Sequence, residues 1–274
     1  MTQESGPLLR QWRVRRRLSQ LELSAQTGVS TRHLSYVETG RSSPSRDLVL
    51  RLSAHLDVPL RERNQLLLAA GFAPEYRGTP LADPAMAAVR AALRVVLDGH
   101  GANPALVVDR AWNLVEANAA VAVLLDDVDP ALLEPPVNVL RVAMHPRGMA
   151  PHIANLAEWR AHVLDRVRRQ VAATADAQLA RLLEELTGYP GGEVVAGAGD
   201  GVAIPMGLTV RGEPLSFLTT VATFGTPLDI TVAELVIESF YPADADTARA
   251  LARLVASVDP ALVAAVLSRT RGTP

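Results

Sequence analysis

The chain has 274 residues, 49% of them apolar, and a formal net charge of −2, the profile of a soluble globular protein with room for a small and a larger domain. It contains no cysteine, which excludes disulfides, thiolate nucleophiles, thiolate metal sites and iron–sulfur clusters. All 27 of its Lys and Arg positions are arginine, so a Walker lysine, a Schiff-base lysine and a Ser-Lys dyad are excluded as well.

Charge is unevenly placed. Residues 1–72 carry eleven Arg against six Asp plus Glu, a net +5, and the remainder nets −7. A basic head on an acidic body points to a nucleic-acid contact confined to one domain; a solvated helical face is the alternative. The start, Met1 to Pro7, is polar and no apolar run reaches the length of a bilayer span, so a cytoplasmic protein without a membrane partner is expected.

From Leu8 to Phe72 apolar positions recur at helical spacing between short stops at Leu18-Ser19, Gly28-Val29-Ser30, Gly40–Pro44 and Asp57-Val58-Pro59. This predicts a five-helix bundle over residues 1–73. Residues 74–84, with Pro74, Gly78, Pro80 and Pro84, read as an extended linker. From 85 to 274 the pattern is mixed: a helix over Ala85–Gly99, strands at Ala105–Asp109 and Asn113–Ala117, and short helices at Asn118–Leu125 and Val139–His145. Longer helices follow at Ala157–Val171 and Ala175–Leu186. Three β-rich runs, Val202–Val210, Leu215–Phe224 and Val232–Tyr241, predict an antiparallel sheet. A helix over Asp244–Val255 and an apolar tail, Pro260–Leu267, complete the chain.

Ser19-Gln20-Leu21-Glu22 is a capping box that starts a helix; Gly28 ends it, and Ser30 caps the next helix two residues later. Two short helices across a tight glycine turn make a helix-turn-helix, with Leu21, Leu23, Leu34 and Val37 expected to pack inward. Thr31, Arg32, Ser35 and Tyr36 fall on the opposite face of the second helix, where Arg can pair with guanine and Thr or Tyr can meet a base edge or a thymine methyl. Gln20 and the helix-start amides can donate to phosphate.

Leu18-Ser19-Gln20, Leu23, Gly28-Val29-Ser30, Leu34-Ser35, Val37–Arg41, Pro44, Leu48, Leu52, Leu56 and Val58 together resemble the lambda-repressor-like (XRE) helix-turn-helix regulators over about residues 8–60. The resemblance implies that Gln20 touches phosphate, that Thr31, Arg32 and Tyr36 face bases and that Arg41 lies near the backbone. It also implies that Arg13 and Glu38 form an internal ion pair. The candidate DNA-binding set is Gln20, Ser30, Thr31, Arg32, Ser35, Tyr36 and Arg41, and the Arg15-Arg16-Arg17 run reads as a solvated face.

In the second domain, Ala105–Asn113 followed by Asn118, the Met144-His145-Pro146 turn, and Asn155 with Trp159 resemble the MmyB-like ligand-binding domain. That resemblance implies an α+β PAS-like fold whose cavity takes a long-chain fatty acid or similar lipid, and a role in bacterial regulation. His152, Asn155, Trp159 and Arg160 are the polar candidates for a head group; Phe217, Leu235 and Ile237 are candidates for the wall, with core packing as the competing reading of each.

No metal is expected: His145 and His152 stand seven apart and share no chelating face. No nucleotide loop or hydrolase elbow is present, and Gly197–Gly201 reads as a loop, so no enzyme activity is expected. The expectation is a multidomain homodimer that reads a palindromic DNA operator, requires no cofactor and responds to a small apolar ligand in its second domain. The alternative is a constitutive DNA-binding regulator whose second domain serves only dimerisation or partner docking.

Overall fold

A computed structural model describes residues 5–192, 204–258 and 263–264. The chain divides into two compact units. The first runs to Thr79 and takes in Ala172–Thr174 and Thr226–Ala233; the second holds Pro80–Val171, Ala175–Gly225 and the residues from Glu234 onward.

The first unit contains the five expected helices: α1 (Ser5–Arg15), α2 (Gln20–Thr27), α3 (Thr31–Glu38), α4 (Arg46–His55) and α5 (Leu60–Ala69). The capping box forms at α2, where the Ser19 hydroxyl accepts from the Glu22 amide at 3.1 Å and the Ser19 amide donates to Glu22 Oε2 at 2.6 Å. This satisfies amides that a helix start leaves open, and the Ser19 amide holds the Glu22 carboxyl below its ordinary pKa. Gly28 adopts φ 68°, a left-handed conformation that costs glycine least. Ser30 and Ser45 then cap α3 and α4 through the amides of His33 and Leu48.

Leu23, Leu34, Val37, Leu52 and Leu67 lie in the core of this unit, but Leu21 is 70% exposed. Helix α2 is two turns long and its buried stripe is Leu23 and Thr27, four residues apart; Leu21, two residues from Leu23, points nearly the opposite way. Helix α1 lies close on the end of α3, since a Cβ added at Gly6 would sit 2.2 Å from the Val37 carbonyl oxygen.

The expected ion pair is present and bidentate: Arg13 Nε and Nη2 donate to the two Glu38 oxygens at 2.6 and 2.8 Å. Both side chains are nearly buried, at 11% and 3% exposure, and the hydrogen bond to Glu38 raises the Arg13 pKa. Arg13 Nη1 also donates to the Leu18 carbonyl at 2.6 Å. One guanidinium thus joins α1, the turn before α2 and the end of α3. Near the end of this unit, Asp229 accepts from the Thr79 amide and hydroxyl and caps a helical turn, Ile230–Ala233. The β-rich run expected from Val232 therefore begins as a helical turn.

The second unit is built on one five-stranded antiparallel sheet in the order β2-β1-β5-β4-β3. Its strands are β1 (Ala105–Val108), β2 (Leu114–Ala117), β3 (Met206–Val210), β4 (Glu213–Thr223) and β5 (Val236–Pro242). Its helices are α6 (Ala87–Gly99), α7 (Val139–Met144), α8 (Leu156–Thr174), α9 (Ala177–Thr187) and α10 (Ala245–Ala256). The stretch Ala119–Leu125, expected as a helix, is wound as 3-10 helix. The loop Gly197–Gly201 and the tail Pro260–Leu267, apart from Val263 and Ala264, fall outside the described residues.

Strand alternation divides the apolar residues between the two sheet faces. Leu106, Val108, Met206, Leu208 and Phe240 join the larger core with α7 to α10, and Ala105, Val107, Leu235 and Ile237 pack with Leu93 and Leu97 of α6 on the other. Asp109 fixes the β1–β2 turn by accepting from the amides of Ala111 and Asn113, both at 2.8 Å. Trp112 in that turn takes φ 66° and is held by its indole N–H, which donates to Gln170 at 2.9 Å. Arg211 and Gly212 both take positive φ, the requirement of a two-residue hairpin, and join β3 to β4.

Removing one member of a buried pair leaves the other charge uncompensated. Glu38→Ala is therefore expected to destabilise the first unit by about 3 kcal/mol, measured by urea denaturation; a loss under about 0.5 kcal/mol, the range of ordinary surface substitutions, would contradict the role assigned to the pair.

Candidate functional site

The first candidate surface is α3 with its flanks. Arg32 and Tyr36, one turn apart, are both exposed; Arg32 Nε donates to the Tyr36 hydroxyl at 3.2 Å and its guanidinium lies 5.4 Å over the ring. Thr31 and Ser35 are half-buried beside them, and Ser30 is exposed at the cap. Arg41 is exposed on a loop that is tied back to α3, because its amide and that of Ser42 donate to the Tyr36 carbonyl at 2.8 and 3.1 Å.

Gln20 is half-buried and donates through Nε2 to Glu38 Oε2 at 2.8 Å, so one of its two amide hydrogens is committed to the internal ion pair. The basic run divides: Arg15 and Arg16 lie 5.1 and 5.5 Å over the Trp12 ring, and Arg16 also donates to the carbonyls of Leu56 and Asp57. Arg16 thus ties α1 to the end of α4, a packing role that the run of three arginines did not reveal.

The second candidate site is a cavity of about 540 Å³ inside the second unit, within the size range of small-molecule sites. Leu106, Leu114 and Phe240 from the sheet, Leu140 and Val142 from α7, Met149, and Trp159 and Val163 from α8 give it an apolar wall. The polar groups on the wall are His162 and Arg166 of α8, Thr219 and Thr220 of β4, and Glu238 of β5. Arg166 Nη1 donates to Glu238 Oε1 at 2.9 Å, with side chains 21% and 8% exposed. The Arg166 guanidinium lies 4.4 Å over the Trp112 ring, a favourable cation–π distance.

Of the seven residues expected at the ligand, only Trp159 lies on this wall. Asn155 instead pins β3, donating to the Pro205 carbonyl at 2.8 Å and accepting from the Gly207 amide at 2.9 Å. Arg160 closes the end of α9 by donating to the carbonyls of Leu186, Thr187 and Tyr189. His152 borders a crevice of about 10 Å³, no larger than a single water. Phe217 is fully buried, edge-on to Phe240 at 6.3 Å, and Leu235 and Ile237 belong to the opposite sheet face.

The signal for the cavity-lining residues was present in α8. Trp159, His162, Val163 and Arg166 stand at i, i+3, i+4 and i+7, one stripe of a helix, and that stripe is the one that meets the cavity. On β5, Glu238 and Phe240 share the parity that Ile237 lacks. Among the described residues, no group of three or more His, Asp or Glu is placed to hold a metal, and no helix is long and apolar enough to cross a membrane.

Two family models match the chain. Residues 9–63 match helix-turn-helix, and residues 89–254 match the MmyB-like transcription regulator ligand binding domain. The chain belongs to the MmyB-like regulator family. It joins an XRE-type helix-turn-helix to an MmyB-like domain, and every residue named on the cavity wall falls inside the MmyB-like match. The chain is also similar to HTH-type transcriptional regulators, described as uncharacterized, of Mycobacterium bovis and of two strains of Mycobacterium tuberculosis. Each is 38% identical over 102 residues, a match that spans 36% of this chain and 40% of the relative.

Asn155 supports β3 and does not reach the cavity wall. Asn155→Ala, which leaves the Pro205 carbonyl and the Gly207 amide without their partner, is expected to cost about 2 kcal/mol of stability. Thermal denaturation checks this, and an unchanged midpoint with impaired ligand uptake would instead return Asn155 to the binding site.

Proposed function

We propose that the protein is a sequence-specific DNA-binding transcription regulator in which a small, largely apolar ligand of the fatty-acid or similar lipid class occupies the MmyB-like domain and changes operator affinity. The observation that carries this reading is the pairing, within one chain, of an XRE-type helix with outward Arg32 and Tyr36 and a cavity of about 540 Å³ walled mainly by aliphatic and aromatic side chains.

In this reading α3 enters the major groove with Thr31, Arg32, Ser35 and Tyr36 toward base edges, while Gln20, Ser30 and Arg41 approach phosphate. Helix-turn-helix proteins commonly pair as dimers on two half-sites, so the functional form is a homodimer on a palindromic operator in the cytoplasm. The chemistry is binding alone: the wall of the cavity offers an apolar volume with a few polar groups, the pattern of a ligand site. The PAS-like architecture implied by resemblance agrees with a five-stranded antiparallel sheet that carries helices over one cavity-bearing face.

The test begins with selection of a bound sequence from a random duplex library. Arg32→Ala is expected to lose about 1 to 3 kcal/mol on the selected sequence and to relax preference at the base it reads. Unchanged preference would remove Arg32 from the readout. Operator affinity measured with and without a saturating ten-carbon amphiphile is expected to differ at least severalfold. Equal affinities, with the amphiphile shown to be bound, would favour a constitutive DNA-binding protein whose second domain serves dimerisation or docking.

A further inference from the structure

Two domains joined only by a linker divide the chain at one place. Here the first compact unit holds, besides the residues up to Thr79, two short segments from far along the chain, Ala172–Thr174 and Thr226–Ala233. The first is the end of α8, and the second lies in the connection from β4 to β5. All three of these elements line the cavity, through Trp159, Val163 and Arg166 on α8, Val221 on β4 and Glu238 on β5.

The distances along the chain are short. Val221 and Glu238 are a cross-strand pair, and Thr223 with Val236 is the last pair of the β4–β5 ladder before the connection opens. Thr226 follows Val221 by five residues, and Ala172 follows Arg166 by six; α8 is continuous helix over that second span, about 9 Å of it.

The Thr226–Ala233 segment is fastened within the DNA-binding unit by specific bonds. Asp229 Oδ2 accepts from the Thr79 amide at 3.1 Å and from the Thr79 hydroxyl at 2.7 Å, and the Ile230 amide donates to the Arg77 carbonyl at 2.7 Å. Ile230 is buried and lies over Gly78, where an added Cβ would stand 3.7 Å from the Ile230 Cβ. The stretch that Asp229 grips is in turn fixed to α5: Asn64 accepts from the amides of Glu75 and Tyr76 and donates to the Tyr76 carbonyl. Leu66 and Leu67 of α5 share one core with Leu34 and Val37 of α3. Hydrogen bonds and packed side chains thus run without a break from Asp229 to α3, the kind of contiguous network that can carry energetic coupling.

We propose that the β4–β5 connection is the element through which occupancy of the cavity alters operator affinity, and that Asp229 is the positioning residue that holds it to the DNA-binding unit. The inference rests on the reading of the protein as a ligand-responsive regulator and names the route of that response. A ligand shifts an equilibrium only by interacting differently with its two arrangements. A molecule in the cavity touches α8, β4 and β5, and the chain runs from each of these directly into residues of the DNA-binding unit.

A purely structural role for Asp229 would change operator binding equally with and without ligand; a coupling role changes the ratio. Operator affinity of the full-length protein is measured with and without saturating decanoate, with decanol as a second probe, and probe binding is followed separately by tryptophan fluorescence. The wild-type ratio is expected to be at least severalfold. Asp229→Ala is expected to bring it to within about twofold of unity while the affinity for the probe changes by less than about threefold. Coupling is reciprocal, so the effect of operator DNA on probe affinity is lost in the same variant. Asp229→Asn, which still offers Thr79 an acceptor, retains most of the wild-type ratio. A full ratio in Asp229→Ala would overturn the coupling assignment and leave the ligand-responsive reading intact. A wild-type ratio of unity with the probe bound would overturn that reading and the coupling with it, as would failure of the wild type to bind either probe. Thr79→Val removes only the hydroxyl bond to Asp229 and is expected to lower the ratio by about half; should Asp229→Ala fail to fold, an unchanged ratio in this variant decides against the coupling.

Discussion

A strand in the middle of a sheet sends alternate side chains to opposite faces, and a charged side chain on an interior face has to find a counter-charge. On β5 this constraint falls on Glu238. Its neighbours Ile237 and Ser239 take the opposite parity, and Ile237 packs with α6, while Glu238 and Phe240 turn toward the cavity. The counter-charge comes from α8, where Arg166 stands one turn beyond His162 and two beyond Trp159 on the same stripe. The helix that covers the cavity and the strand on its wall are therefore joined by an ion pair between two of its lining residues.

The DNA-binding half solves a similar problem with a different purpose. Arg13 and Glu38 are buried together, and the donors left over on Arg13 reach the turn ahead of α2. Gly6 lets α1 approach the last turn of α3 closely enough for this to happen. The outward face of α3 is thereby presented by a rigid support: Glu38 anchors its end, Ser30 caps its start, and Arg41 returns to the Tyr36 carbonyl. Buried pairs of this kind often add little net stability over an apolar replacement, although removing one partner alone is strongly destabilising.

The helix-turn-helix was legible because its signals are local. A capping serine, a glycine at positive φ and a second cap two residues later act within one turn of chain, and the structure forms each of them. Leu21 was misjudged because a two-turn helix has room for one buried stripe, and Leu23 with Thr27 occupies it. The chain regions of most elements were readable from periodicity and turn residues, whereas the sheet order was not: β-rich runs located β3 to β5, while Asp229 turned the start of the last run into a helical turn. The cavity was much less legible. Asn155 and Arg160 have the donors that a head group needs, yet both spend them on backbone groups of their own domain, and a sequence does not show whether a donor is already committed. Leu235 and Ile237 could be read as cavity wall or as core, because an apolar residue in a sheet covered on both sides fits either face, and both pack in the core with α6. The polar residues that do line the cavity come from α8, β4 and β5, segments far apart in the chain and brought together by the sheet order.

The most direct measurement is denaturing extraction of the purified full-length protein followed by mass spectrometry, since a ligand enclosed by this much apolar surface survives purification. The expected result is a long-chain molecule recovered at close to one per chain, and re-addition of that molecule to stripped protein changes its affinity for the selected operator. A protein that carries no such molecule, takes up none of the ten-carbon probes and binds its operator with the same affinity throughout would contradict the account of the second domain as a ligand-responsive one.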